Sequence, residues 1–246
     1  MSSAHDRACE LAAQIKGTRV DYGEEHAARE GHERYGYDFN DKGMVPTWDE
    51  ERPVHLVGHS LGSPTIRCLQ HLLELDYWGW GSSHRWVASI NTISGVSNGS
   101  TLVYHFDADE RTGLLDPAGA STSIMHLIEV MTAASGGLLD AIYNFDLDHW
   151  GFVREPGESL EKYLDRVGQS DFLWGRDNAP YSLSLQGAYE DNGVWKTYPD
   201  TFYLSFVTEQ TFRGWLTGRH YPNLRMNPGL LVPATYIGHK KFADSP

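Results

Sequence analysis

Cysteine is scarce in this sequence: Cys9 and Cys68 are the only two in 246 residues, and neither belongs to a C-x-x-C pair. A disulfide framework or a thiolate metal centre is therefore not indicated, and both cysteines, set in helical patterns, read as small core residues. Basic residues are also few, with 20 Lys and Arg against 33 Asp and Glu and a formal net charge of −13. That balance repels nucleic acid and anionic membrane surfaces alike, so no nucleic-acid partner is expected. No stretch approaches the ~18 consecutive apolar residues of a transmembrane segment. The opening Met-Ser-Ser-Ala-His-Asp-Arg lacks the apolar core of a signal peptide. Nothing here addresses the chain to a compartment or fixes its oligomeric state, and internal repeats and low-complexity stretches are absent.

What is present suits one large α/β domain: 40% of the residues are hydrophobic, enough for a sizeable core. Residues 5 to 16 carry Cys9, Leu11, Ala12 and Ile15 on one helical face. Residues 20 to 39 are rich in His, Glu, Gly and Tyr, and Gly31 and Gly36 limit them to a structured loop or short helix. The apolar run Val54 to Val57 predicts a buried strand, followed by a helix reaching about Trp78 on the stripe Leu61, Thr65, Cys68, Leu69, Leu72 and Leu73. Residues 85 to 93 and Phe202 to Val207 predict two more strands, separated by a long insertion at about 96–200. Within it, Ser121 to Tyr143 reads as one helix, or two separated by Gly136-Gly137, forming a cap, with an ordinary core helix equally compatible with the pattern. Pro222, Pro228, Gly229 and Pro233 predict an irregular C-terminal segment.

Between the first strand and its helix stands Gly58-His59-Ser60-Leu61-Gly62. G-x-S-x-G in a strand-to-helix turn is the nucleophile elbow of α/β-hydrolases, where the serine occupies a strained turn and the glycines avoid collisions with neighbouring backbone. Ser60 is the candidate nucleophile, and the backbone N–H of Leu61 is one candidate oxyanion donor.

Longer motifs accompany the elbow. They are Asp6-Arg7-Ala8-Cys9-Glu10; Val20-Asp21-Tyr22-Gly23 with His26-Ala27-Ala28 and Gly31-His32; Trp150-Gly151; Arg154 to Ser159; and Tyr203-Leu204-Ser205-Phe206 with Thr208-Glu209, Arg213-Gly214, Leu216-Thr217-Gly218 and His220-Tyr221-Pro222. Together they resemble the zinc-containing thermoalkalophilic lipases, true lipases of the α/β-hydrolase superfamily, from about Asp6 to Tyr236. The resemblance implies a parallel sheet with helices on both faces, a long cap and zinc insertion, and triacylglycerol lipase activity on lipid esters at an oil–water interface. It also implies one structural zinc held by Asp6, His26, His32 and Asp177, with Trp150 packed beside it. Two imidazoles and two carboxylates would close a tetrahedral shell with no place for a catalytic water. Relatives of this family mostly act outside the cell.

Departures from the family pattern add further expectations. Gly58 and Leu61 stand where bacterial members carry Ala and Gln, and Ser63 replaces a glycine at the helix–strand contact, with some loss of packing expected. The family's triad acid and histidine would lie beyond Pro246, and the strand with the second oxyanion donor before Met1. The chain thus reads as the central portion of a lipase, truncated at both ends. Arg225 replaces a glycine at the one calcium position in range, so calcium is not expected. An internal triad of Ser60, Glu209 and His220 or His239 has the right order, but the family carries the same Glu209 and His220 without using them in its triad. Two rival readings are a catalytically inactive hydrolase-like scaffold and a short-chain carboxylesterase.

Overall fold

Ser3 starts the first helix: its hydroxyl accepts from the Asp6 N–H at 3.1 Å, capping α1 (Ala4–Lys16). The helix ends at Gly17, in the left-handed region at φ 79°. The computed structural model describes residues 2–116 and 147–241. Of the expected stripe on α1, Cys9, Ala12 and Ile15 are buried, while Leu11 is partly buried against the same core. The glycine-rich stretch that follows is more ordered than a loop: β1 (Arg19–Asp21) and β2 (Tyr35–Asp38) pair antiparallel around the short helix α2 (Glu24–Glu30).

The central sheet holds β3 (Val54–His59), β4 (Val87–Ile93) and β5 (Phe202–Phe206), all parallel and in that order. Helix α3 (Gly62–Glu74) leaves β3 directly and packs on the sheet, with α1 against α3. Leu56 and Ile90 join the core under these helices, together with Leu69, Leu72 and Leu73. This α/β arrangement fits the expected hydrolase-like class. Among the described residues only one sheet face is covered. Val57 and Phe202 on the other face are 64% and 74% exposed, and Leu204 and Phe206 stand beside them.

Helix α3 stops at Glu74, four residues short of Trp78, because Asp76 turns left-handed at φ 48° and its carboxylate accepts from the Ser82 N–H at 2.9 Å. The long insertion supplies α4 (Leu160–Gly168), α5 (Asp171–Trp174), α6 (Ala179–Leu183) and α7 (Leu185–Val194). Phe106 and Leu147 form a second buried cluster with Leu164, Val167 and Phe172. The cap helix expected at Ser121 to Tyr143 lies outside the described residues.

The C-terminal segment departs from expectation. It forms an antiparallel hairpin, β6 (Thr211–Arg213) with β7 (His220–Pro222), and then a helix, α8 (Leu231–His239). Pro233, taken from the sequence as a breaker, falls in the first helical turn, where the missing N–H has no intrahelical partner to lose.

Candidate nucleophile elbow and metal centre

Ser60 sits at φ 52°, a left-handed backbone that a serine adopts only when its surroundings impose it. Its N–H donates to the Ile93 carbonyl at 3.1 Å and its own carbonyl accepts from the Ser63 N–H at 3.0 Å, so the turn is held on both sides. The two elbow glycines are not equivalent. A Cβ on Gly58 would stand 2.5 Å from the Gly62 carbonyl oxygen, whereas one on Gly62 would meet nothing within 4 Å. The expectation of a collision on both sides holds at Gly58 alone, because only there does the start of α3 pass directly over the strand.

Ser63 brings no visible packing loss, contrary to expectation. It is fully buried, its hydroxyl donates to the Gly58 carbonyl at 3.1 Å, and Gly95 leaves the space it occupies. A Cβ on Gly95 would come within 2.5 Å of the Ser63 hydroxyl.

Among the described residues, none hydrogen-bonds to the Ser60 hydroxyl or accepts from the Leu61 N–H. Glu209 and His220 both contact the Thr211 hydroxyl, at 3.5 and 3.3 Å, and neither is hydrogen-bonded to Ser60. His239 packs edge-on against Tyr221. The structure does not join these residues into a triad. The Arg225 N–H donates to the Asn223 side chain in an exposed turn.

The four expected metal ligands come together from three stretches of the chain. Asp6 lies in the first turn of α1, His26 on α2, His32 just past α2, and Asp177 immediately before α6. Gly31, at φ 88°, ends α2 with a left-handed reversal, which is how two histidines six residues apart face one point without sharing a helix face. One ligand atom from each of the four residues lies within 4.8 Å of all the others. His26 Nε2 is 3.1 Å from Asp6 and 3.2 Å from Asp177, and His32 Nε2 is 3.4 Å from Asp177 and 4.0 Å from Asp6. Ligands around a tetrahedral zinc stand roughly 3.3 to 3.6 Å apart.

The donor set passes a second test of fit. His32 Nδ1 lies 2.9 Å from the Glu33 carbonyl, which can only accept, so Nδ1 carries a proton. Its Nε2 is buried with no hydrogen-bond partner, a lone pair directed into the cluster. Burial works to raise the Asp6 carboxyl, yet hydrogen bonds from His149, His26 and His5 hold it well below the usual carboxylate range. Asp177 is likewise held low against its burial by His26 and His32. Although burial opposes its charge, the same two carboxylates lift His26 to about 9.

Around the ligands, Trp150 packs 4.8 Å from His32 as expected. His149 was not singled out from the sequence, where its position beside Trp150 was the only available signal. It is buried, with Nε2 3.1 Å from Asp6 Oδ2. The Asp177 segment is also fastened to the N-terminus without a metal: Ser2 bridges to Asn178, and the Ala4 N–H donates to the Ser182 hydroxyl at 3.2 Å.

The profile of the family described as "Lipase-like, C-terminal domain" matches residues 1–244. The chain belongs to this lipase family. A lipase of Staphylococcus hyicus is 32% identical over 97% of this chain and 37% of its own length. Lipase 2 of Staphylococcus aureus is 32% identical over 96% of this chain and 34% of its own. Among solved structures, EstA from Clostridium botulinum superposes with a TM-score of 0.81 at 34% identity, covering all of this chain and 58% of that one. The Staphylococcus hyicus lipase structure gives 0.71 at 31% identity, covering 97% and 62%. The chain therefore spans about a third of the length of the curated relatives it matches. Among the described residues no helix is long and apolar enough to cross a membrane.

Proposed function

We propose that this chain carries the nucleophile and the structural zinc centre of a lipase-type serine hydrolase acting on triacylglycerols or similar long-chain esters. The observation that carries the reading is the strained backbone of Ser60, at φ 52° between a parallel strand and a helix. Ser60 Oγ attacks the ester carbonyl, the Leu61 N–H stabilises the oxyanion, and the alcohol leaves as an acyl-enzyme forms. Water then releases the acid. The resemblance to the family draws the triad acid and base from outside residues 1–246. Residues 1–246 are read as one incomplete α/β-hydrolase domain, with its cap and zinc insertion at about 96–200.

Zinc at Asp6, His26, His32 and Asp177 would supply a closed tetrahedral cross-link rather than a catalytic water. The support is the convergence of the four side chains and the buried His32 Nε2, which has no hydrogen-bond partner. The closed shell fastens the segment before α6 to α1, the helix packed beside the elbow helix.

The test is ester hydrolysis across acyl-chain length, above and below the solubility limit, by the zinc-loaded protein beside its Ser60→Ala variant. The expected result is slow, Ser60-dependent turnover that favours long chains. Ser60-dependent turnover confined to short soluble esters would instead identify a carboxylesterase. Because the acid and base are drawn from outside residues 1–246, the scaffold reading is tested on the protein extended at both ends, where a folded, zinc-loaded chain with no Ser60-dependent reaction would identify a scaffold.

A further inference from the structure

The carboxylate of Asp6 is divided between two tasks. Its inner oxygen, Oδ1, faces the ligand cluster, 3.1 Å from His26 Nε2 and 4.0 Å from His32 Nε2. Its outer oxygen, Oδ2, faces away, 3.1 Å from His149 Nε2. A carboxylate only accepts, so His149 Nε2 carries the proton in that contact.

Three contacts fix His149 where it is. Its ring stacks on Tyr22 with centroids 4.3 Å apart. Its Nδ1 lies 3.2 Å from the Tyr22 hydroxyl, which donates to Glu10 at 3.1 Å. Its carbonyl accepts from the Glu33 N–H at 2.8 Å, next in sequence to the ligand His32. His149 is outside the group of four whose ligand atoms converge. It acts on the site through Asp6.

We propose that His149 is a positioning residue that keeps Asp6 a one-oxygen ligand, and so sets both the affinity and the four-coordinate geometry of the metal centre. The proposal rests on the metal reading above. With Oδ2 occupied by the His149 N–H, a cation in the cluster receives one oxygen from Asp6. Without that donor both oxygens are free to turn inward, and a fifth bond becomes available. Groups that orient metal ligands in this way typically govern affinity by about 10–100-fold.

The test uses the 246-residue protein, stripped of metal by chelation and checked for folding by circular dichroism. Zinc affinity is measured against a chromophoric chelator, and coordination number by visible absorption with cobalt(II), whose bands are several-fold stronger in four-coordinate than in five-coordinate sites. His149→Phe keeps a ring against Tyr22 and removes the donor, and His149→Leu is a smaller variant that also lacks it. Each is expected to bind zinc about 10–100-fold more weakly and to show weakened cobalt bands. His149→Gln returns an N–H within reach of Oδ2 and is expected to restore both readouts to near wild type. Unchanged affinity and spectrum in a folded Phe or Leu variant overturns the proposal, as does a folded Gln variant no better than Phe. Failure of the wild-type protein to take up metal counts against the metal reading itself, a separate outcome.

Discussion

The Arg7 guanidinium donates to the Leu61 carbonyl at 3.0 Å, joining the neighbour of Asp6 to the neighbour of Ser60. Its Nε also donates to the Ser3 carbonyl at 3.0 Å, so one side chain ties the capped start of α1 to the elbow. Arg7→Met keeps the aliphatic stem and removes both charge-assisted bonds. A stability loss of about 1.5–3 kcal/mol is expected, read from urea unfolding midpoints at constant slope.

Metal removal should be visible in stability. The native protein is expected to hold one zinc per chain by elemental analysis, and excess zinc over the apo form should raise the melting temperature. At a hundredfold excess over Kd the gain is about 2.7 kcal/mol, or roughly 5–10 °C for a chain of this size. His32→Ala should abolish the zinc-dependent increment, because it removes a buried ligand atom whose polar neighbours are the two carboxylates of the cluster. A zinc increment that survives in His32→Ala would place the metal elsewhere.

Packing at the elbow makes a paired prediction. Gly58→Ala drives a methyl group into the backbone at the start of α3 and should destabilise by several kcal/mol, while Gly62→Ala enters open space and should cost less than about 1 kcal/mol. Gly95→Ala collides with the Ser63 hydroxyl, so Ser63→Gly should relieve most of its cost. A double-mutant cycle with strictly additive effects would contradict that contact.

Asp191 gives the pH dependence. Burial, and secondarily the neighbouring Glu190, push its carboxyl up to about 7. With a folded pKa above the unfolded one, the native state binds the extra proton, and stability falls as pH rises between about 4 and 7. Asp191→Asn removes the cost of the buried charge. Its melting temperature should exceed that of wild type by several degrees at pH 8 and match it near pH 4. Equal melting temperatures at pH 8 would mean that the charge is not costly.

The elbow was legible in the sequence because all its determinants are local: a β-branched strand, two glycines and a helical stripe lie within about 20 residues. The metal ligands were not legible from spacing. Asp6, His26, His32 and Asp177 meet only through the reversal at Gly31 and the return of the chain before α6, and it was the match of whole motifs that pointed to them. His149 carries no periodic signal, and its role follows from which oxygen of Asp6 it faces. Helix α8 was obscured by Pro233, which breaks a helix interior but not a first turn. The apolar run Phe202 to Val207 predicted a strand without telling which of its faces the described helices cover.

The most direct test of the nucleophile assignment replaces the hydroxyl by a thiol, which needs no base to react. Ser60→Cys sets a sulfur just before the N-terminus of α3, a helix of 13 residues, where the thiolate is favoured and the Leu61 N–H is at hand. Ser94→Cys, at the end of the adjacent strand and also left-handed at φ 46°, is the matched control without a following helix. Cys9 and Cys68 are buried, with thiols pushed well above the usual range chiefly by burial, and should stay silent. Reaction with a p-nitrophenyl ester near pH 7 should release one equivalent of p-nitrophenol from Ser60→Cys, with the acyl group mapped to position 60 by mass spectrometry, and at least tenfold faster than from Ser94→Cys. Equal rates at the two positions, or acylation mapped elsewhere, would contradict the assignment of Ser60 as the nucleophile.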